Sequence, residues 1–137
     1  VTAVAGDDGV VTRLGSGGPW EAVYGYSRVV RAGNLAWTAG CTSTVDGRVA
    51  HVGDAAAQTA QALRIGLAAL AEVGAEPTDV VRTRMYVTDR LYADEVGRAH
   101  NAVFGAVRPA ATMVVVAGLI DPELLVEVEL EAWLRDR

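Results

Sequence analysis

Residues 126–132, Val-Glu-Val-Glu-Leu-Glu-Ala, alternate apolar and charged side chains without a break. Successive side chains of a β-strand point to opposite faces, so this period of two fixes a strand with one apolar face and one acidic face. Such a strand must lie in a sheet that buries Val126, Val128 and Leu130 and turns Glu127, Glu129 and Glu131 the other way. Stacked about 7 Å apart, the three carboxylates raise each other's pKa unless cations answer them. Arg82 and Arg84, on one face of the run Asp79–Val87 with Tyr86 next in line, are the candidate cations for cross-strand pairing.

The rest of the chain supplies partners for that strand. Asp54 is placed to cap a helix over residues 55 to about 73, with Ala56, Ala60, Leu63, Leu67 and Leu70 as its apolar stripe and Gly74 as its stop. Asp89 is placed to cap a second helix, with Tyr92, Val96, Ala99 and Val103 on one face and Gly105 at its end. Strands are expected over 80–87, 110–117 and 124–133, and in the run from Tyr24 to Gly40, where Arg31-Ala32-Gly33-Asn34 reads as a hairpin turn. Val45-Asp46-Gly47-Arg48 reads as another such turn. Gly15-Ser16-Gly17-Gly18 reads as a flexible loop, and residues 1–9 as a loose arm or short edge piece before a single domain over 10–137.

The order β-β-β-α-β-α-β-β gives an α+β domain, a mixed sheet with two helices on one face. The other sheet face then lacks a lid, and its apolar residues argue for association of several copies, with sites in the clefts between them.

Composition excludes several chemistries. There is no lysine, so Schiff-base catalysis, a pyridoxal-phosphate anchor and a phosphate-loop lysine are all excluded. The net charge of −5 argues against a nucleic-acid surface. One cysteine, Cys41, permits no internal disulfide, and with only His51 and His100 beside it no metal site is expected. No apolar run has the length of a membrane span, and a soluble, cytoplasmic protein is expected.

Candidate chemistry sits in three places. Glu129 can orient a water or shuttle a proton, while Glu127 and Glu131 read as ion-paired or solvated. Tyr26 and Arg28, two residues apart on an expected strand, suit capture of a small carboxylate; the same spacing fits a half-buried edge strand. Cys41 follows Gly40 at a strand end, with no base placed beside it by sequence.

Three segments resemble the RidA/YjgF family of reactive-intermediate deaminases, also described as endoribonuclease L-PSP: Gly33–Ser43, the helix with Asp79–Asp89, and Arg108–Trp133. The resemblance covers residues 24 to 134. It implies a chorismate-mutase-like fold and a homotrimer with a barrel-like core and ligand sites between subunits. It also implies cofactor-free hydrolysis of enamines and imines to keto acids and ammonia. Carried onto this sequence, it places a pocket tyrosine at Tyr26, a strand-end glycine at Gly40 and a water-orienting glutamate at Glu129. The family's carboxylate-gripping arginine falls on Ala111, followed by Thr112 and Met113. That departure points to an atypical member acting on another small molecule, such as a specialised metabolic intermediate, with Arg28 as a substitute anchor, or to a ligand-binding trimer without chemistry.

Overall fold

The computed structural model describes residues 2–3 and 11–135. The elements are β1 (Thr2–Ala3), β2 (Val11–Gly15), α1 (Pro19–Tyr24), β3 (Val29–Ala32), β4 (Leu35–Thr38), β5 (Cys41–Thr42), β6 (Thr44–Val45), β7 (Arg48–Val49), α2 (Ala55–Glu72), β8 (Val80–Val87), α3 (Ala93–Phe104), β9 (Ala110–Val115) and β10 (Val126–Trp133). The main sheet runs β1-β2-β3-β4-β10-β8-β9, with β5 also pairing β10. All of its pairings are antiparallel except β8 with β9, which the α3 crossover makes parallel. This is the expected α+β domain with a mixed sheet and two main helices, the fold that the family resemblance implies, and 126–133 is the half-buried strand that its alternation requires.

The arm expected over residues 1–9 pairs as an edge strand at Thr2–Ala3, against Leu14 and Gly15. The rest of it lies outside the described residues.

Helices α2 and α3 cover the sheet face that carries Val126, Val128, Leu130 and Ala132, all buried. Asp54 caps α2 by accepting from the Ala57 amide at 3.0 Å, and Gly74 leaves the helix at φ +91°. The buried face of α2 is rotated from the expected stripe. Leu63 and Leu70 are buried, but Ala56, Ala60 and Leu67 are only half-buried, and Ala55, Thr59, Ala62, Gly66 and Ala69 take the sheet side. Small side chains there let the helix sit close: a Cβ on Gly66 would lie 2.8 Å from Leu130 Cδ1. The buried Gln58 ties α2 to the entry of β10, accepting from the Leu125 amide at 2.8 Å and donating to the Glu123 carbonyl at 3.0 Å. Asp89 caps a short 3-10 turn, Arg90–Tyr92, from which α3 continues.

Two sequence expectations are corrected near the start of the sheet. Gly15 ends β2 and Ser16–Gly18 form the expected loop, but it leads into a helix absent from the expected order, α1, where Pro19 takes the first helical position. Tyr26 and Arg28 lie in the irregular segment between α1 and β3 rather than on a strand, because Gly25 turns the chain at φ +78° and the Tyr26 amide bonds back to the Glu21 carbonyl. In the β3–β4 turn only Gly33 adopts positive φ, at +58°; Asn34 does not. The Asp46-Gly47 turn does carry positive φ at both residues.

Candidate active site on the uncovered sheet face

The face opposite the helices carries Glu127, Glu129 and Glu131 from β10 and, across the register, Tyr86, Arg84 and Arg82 from β8. Glu131 pairs diagonally with Arg84 Nη1 at 2.5 Å, and both side chains keep about a third of their surface in solvent, 32% and 36%. Arg82 Nη2 donates to Thr112 Oγ1 at 2.9 Å. Tyr86 Oη donates to the Glu129 carboxylate. That hydrogen bond is the main reason the phenol's pKa is raised, so Tyr86 stays protonated as the donor.

Glu127 stands in a different setting, built by an irregularity in the neighbouring strand. β10 pairs with β4 at Glu131–Trp37 and with β5 at Val128–Cys41, and the register slips by one residue between the two. Thr38 fills the gap by accepting from the Leu130 amide at 3.1 Å. The bulge brings Gly40 against Glu127: a Cβ at position 40 would lie 1.8 Å from Glu127 Oε2, so the carboxylate occupies the space of the missing side chain. The Gly40 carbonyl accepts from Arg28 Nη1 at 2.6 Å. Burial raises the Glu127 pKa, and the Glu129 charge raises it further against the opposing pull of Arg28.

The residues singled out by sequence thus divide. Arg28, Gly40 and Tyr26 come together, with the Arg28 guanidinium carbon 5.7 Å from the centre of the Tyr26 ring. Tyr26 is 38% exposed and also flanks an open hollow of about 510 Å³ shared with Arg13, Glu21 and Ser27. The carboxylate beside this group is Glu127, whereas Glu129 is engaged by Tyr86 one step further along the strand.

On β9, Thr112 shares the uncovered face through its register with Arg84. Ala111 and Met113 share the opposite face with Thr83 and Met85, and Met113 packs beside Gly97 of α3. Ala111 and Met113 therefore do not join Glu129 within one chain.

Cys41 is buried on the helix side, and burial pushes its thiol pKa up, the reverse of an activated nucleophile. His100 bonds Thr83 Oγ1 through Nε2 at 2.8 Å and packs on Phe104, and burial holds its pKa down. His51 belongs to the turn before α2, where its carbonyl accepts from the Asp54 amide at 3.0 Å. Among the described residues no cluster of His, Cys, Asp and Glu could hold a metal, and no helix is long and apolar enough to cross a membrane.

One contributor escaped the sequence reading. Glu21, only 9% exposed, accepts from the Ser16 amide at 2.8 Å and faces Arg28 Nε at 3.6 Å. A Pro-Trp-Glu start after a Gly-rich stretch was the available signal, since Pro and Glu both favour a first helical turn.

The two-layer α+β domain thus leaves one sheet face without helices, and that face carries the three carboxylates of β10. The family model described as Endoribonuclease L-PSP matches residues 19–134, and the chain belongs to that family, the YjgF/RidA family. The chain is 41% identical over 123 residues to the uncharacterised protein SCO2049 of Streptomyces coelicolor, covering 90% of this chain and 92% of that one. The crystal structure of Rv2704 from Mycobacterium tuberculosis, a member of the YjgF/YER057c/UK114 family, superposes with a TM-score of 0.82. It is 47% identical over 90% of this chain and 99% of that one. The YjgF gene product of E. coli superposes with a TM-score of 0.73 at 30% identity, covering 80% of this chain and 88% of that one.

Proposed function

We propose that this chain is a cofactor-independent enzyme acting on a small molecule with an imine- or enamine-like group, by hydrolysis, deamination or tautomerisation. The observation that carries the reading is the Glu127 carboxylate seated on Gly40 beside Arg28. A carboxyl whose pKa is raised by burial and by a neighbouring carboxylate exchanges a proton closer to neutrality than a solvated one, which suits general acid–base work. In a hydrolytic cycle the ionised carboxylate takes a proton from water as the water oxygen bonds to the C=N carbon. It returns that proton to nitrogen to give the carbinolamine, then carries the carbinolamine hydroxyl proton to nitrogen as the C–N bond breaks, the carbonyl forms and ammonia leaves. Glu129, the carboxylate favoured by the family resemblance, serves here as the charge that keeps Glu127 basic, itself oriented by Tyr86. Tyr26 and Arg28 offer a hydroxyl and a cation to the ligand.

The site reads as completed between copies of the chain, in a homotrimer joined through the uncovered face. That face exposes Leu35, Trp37 and Trp133 at 44%, 36% and 50%, and the flanking edge strand β9 exposes Val114 and Val115. Apolar groups at such density favour burial by association. The acidic net charge of −5 speaks against a nucleic-acid partner.

Ala111 offers no guanidinium where the family places one, so a simple 2-imino acid loses its carboxylate anchor, an interaction on the order of 2–5 kcal/mol when buried. Ammonia release from enzymatically generated 2-aminoacrylate is expected to be weak. Against a panel of neutral or differently anchored imines, Glu127→Gln is expected to abolish turnover and Glu129→Gln to reduce it. Retained turnover in Glu127→Gln overturns the assignment.

A second reading, a ligand-binding trimer without chemistry, is favoured by one observation: Arg28 already serves the Gly40 carbonyl and Glu21 within the chain. Under it a ligand raises the melting temperature and is recovered unchanged.

A further inference from the structure

We infer that Glu21, on the six-residue helix α1, is a positioning residue that holds the Arg28 guanidinium between itself and Glu127, dividing one cation between two carboxylates. The inference rests on the reading of Glu127 as the proton-exchanging group.

Glu21 is built in rather than solvated. Its two carboxylate oxygens accept from the Ser16 amide at 2.8 Å and the Ser16 hydroxyl at 2.5 Å. Its main-chain carbonyl accepts from the amides of Gly25 at 2.9 Å and Tyr26 at 3.0 Å, so the chain folds back over it before reaching Arg28. Arg28, with 15% of its side chain exposed, then spans from Glu21 Oε2, 3.6 Å from its Nε, to the Gly40 carbonyl, 2.6 Å from its Nη1. Gly40 is the residue whose open side Glu127 fills.

A guanidinium has a fixed fork of donors, so contacts on one edge set where the other edge points. The ionisable groups around Glu127 are Arg28 from the segment before β3, Glu129 on its own strand and Tyr86 across on β8, while Cys41 on β5 points to the helix side. Arg28 alone among these opposes the rise of the Glu127 pKa. Whatever holds Arg28 back from Glu127 therefore sets how readily Glu127 carries a proton.

The test is a pH titration of the Glu127 side-chain carboxyl in the full-length, ¹³C-labelled chain, with the resonance assigned by its loss in Glu127→Gln. Glu21→Gln frees Arg28 toward Glu127 and is expected to lower the midpoint by about one pH unit. Arg28→Gln is expected to raise it, and adding Glu21→Gln to Arg28→Gln to change it little further. An unmoved or raised midpoint in a folded Glu21→Gln variant overturns the inference. So does an equal fall in the absence of Arg28, which would mean direct repulsion between the two carboxylates. Should Glu21→Gln fail to fold, Glu21→Asp carries the test, since it keeps the charge but shortens the reach, and a smaller fall is expected; no fall overturns the inference. If these midpoints move as expected while Glu127→Gln retains turnover, the positioning role stands and the catalytic reading fails.

Discussion

The two faces of β10 differ in what each has given up. On the helix side, Val126, Val128 and Leu130 are wholly buried, and the contact is close enough that Gly66 cannot carry a side chain without displacing Leu130. On the other side, Glu127, Glu129 and Glu131 stand half-buried among Arg84, Tyr86 and Arg28, with like charges held near one another. One face gains stability from dispersion and removal of apolar surface from water. The other half-buries a carboxylate, Glu127, beside a like charge, which costs stability and leaves its protonation dependent on its neighbours. The same eight residues do both, because a strand alternates.

Substitutions should separate the faces by size of effect. Leu130→Ala empties a closely packed site and is expected to cost about 2–5 kcal/mol in denaturant unfolding. Gly66→Val forces a branched side chain against Leu130 Cδ1 and is expected to cost about 1–3 kcal/mol, recovered in part by Leu130→Val in the same chain. Across the sheet, Arg84→Met removes only a part-exposed, solvent-screened ion pair with Glu131 and is expected to leave the unfolding midpoint nearly unchanged. A loss at Arg84 as large as that at Leu130 would erase the contrast.

The smallest effect has the opposite sign. Because the folded-state pKa of Glu127 lies above its unfolded value, its contribution to stability is fully present below the unfolded pKa and is lost as pH rises through the folded one. Glu127→Gln should therefore be more stable than the parent at neutral pH, with the advantage vanishing in acid. Melting temperatures of the two proteins from pH 3 to 8 measure this, and a variant less stable at neutral pH would mean the carboxylate is held by favourable contacts.

Much of this was legible in the chain. The period of two at 126–132, the run at 80–87 and the Asp54-to-Gly74 helix all appear where local pattern places them, because each is set by residues within its own segment. The face of α2 was harder to read: counting leucines favours Leu67, but close approach to the sheet selects Ala62, Gly66 and Ala69, and Gln58 is buried by partners more than sixty residues away. Helix α1 was hidden for a similar reason, since Gly15–Gly18 has loop composition and Glu21 finds its partners only after the chain has turned back.

The choice between Glu127 and Glu129 lies beyond any alternation rule. Both point the same way, and only the bulge between β4 and β5 decides which of them meets Gly40. Ala111, likewise, is assigned a face only by the parallel register of β9 on β8.

With Glu127 as the proton-exchanging group, rather than the acidic ladder as a whole, a site-resolved ¹³C titration of the glutamates on β10 gives a Glu127 midpoint clearly above the value of about 4.3 for a free glutamate. A Glu127 midpoint at or below that value removes Glu127 from that role.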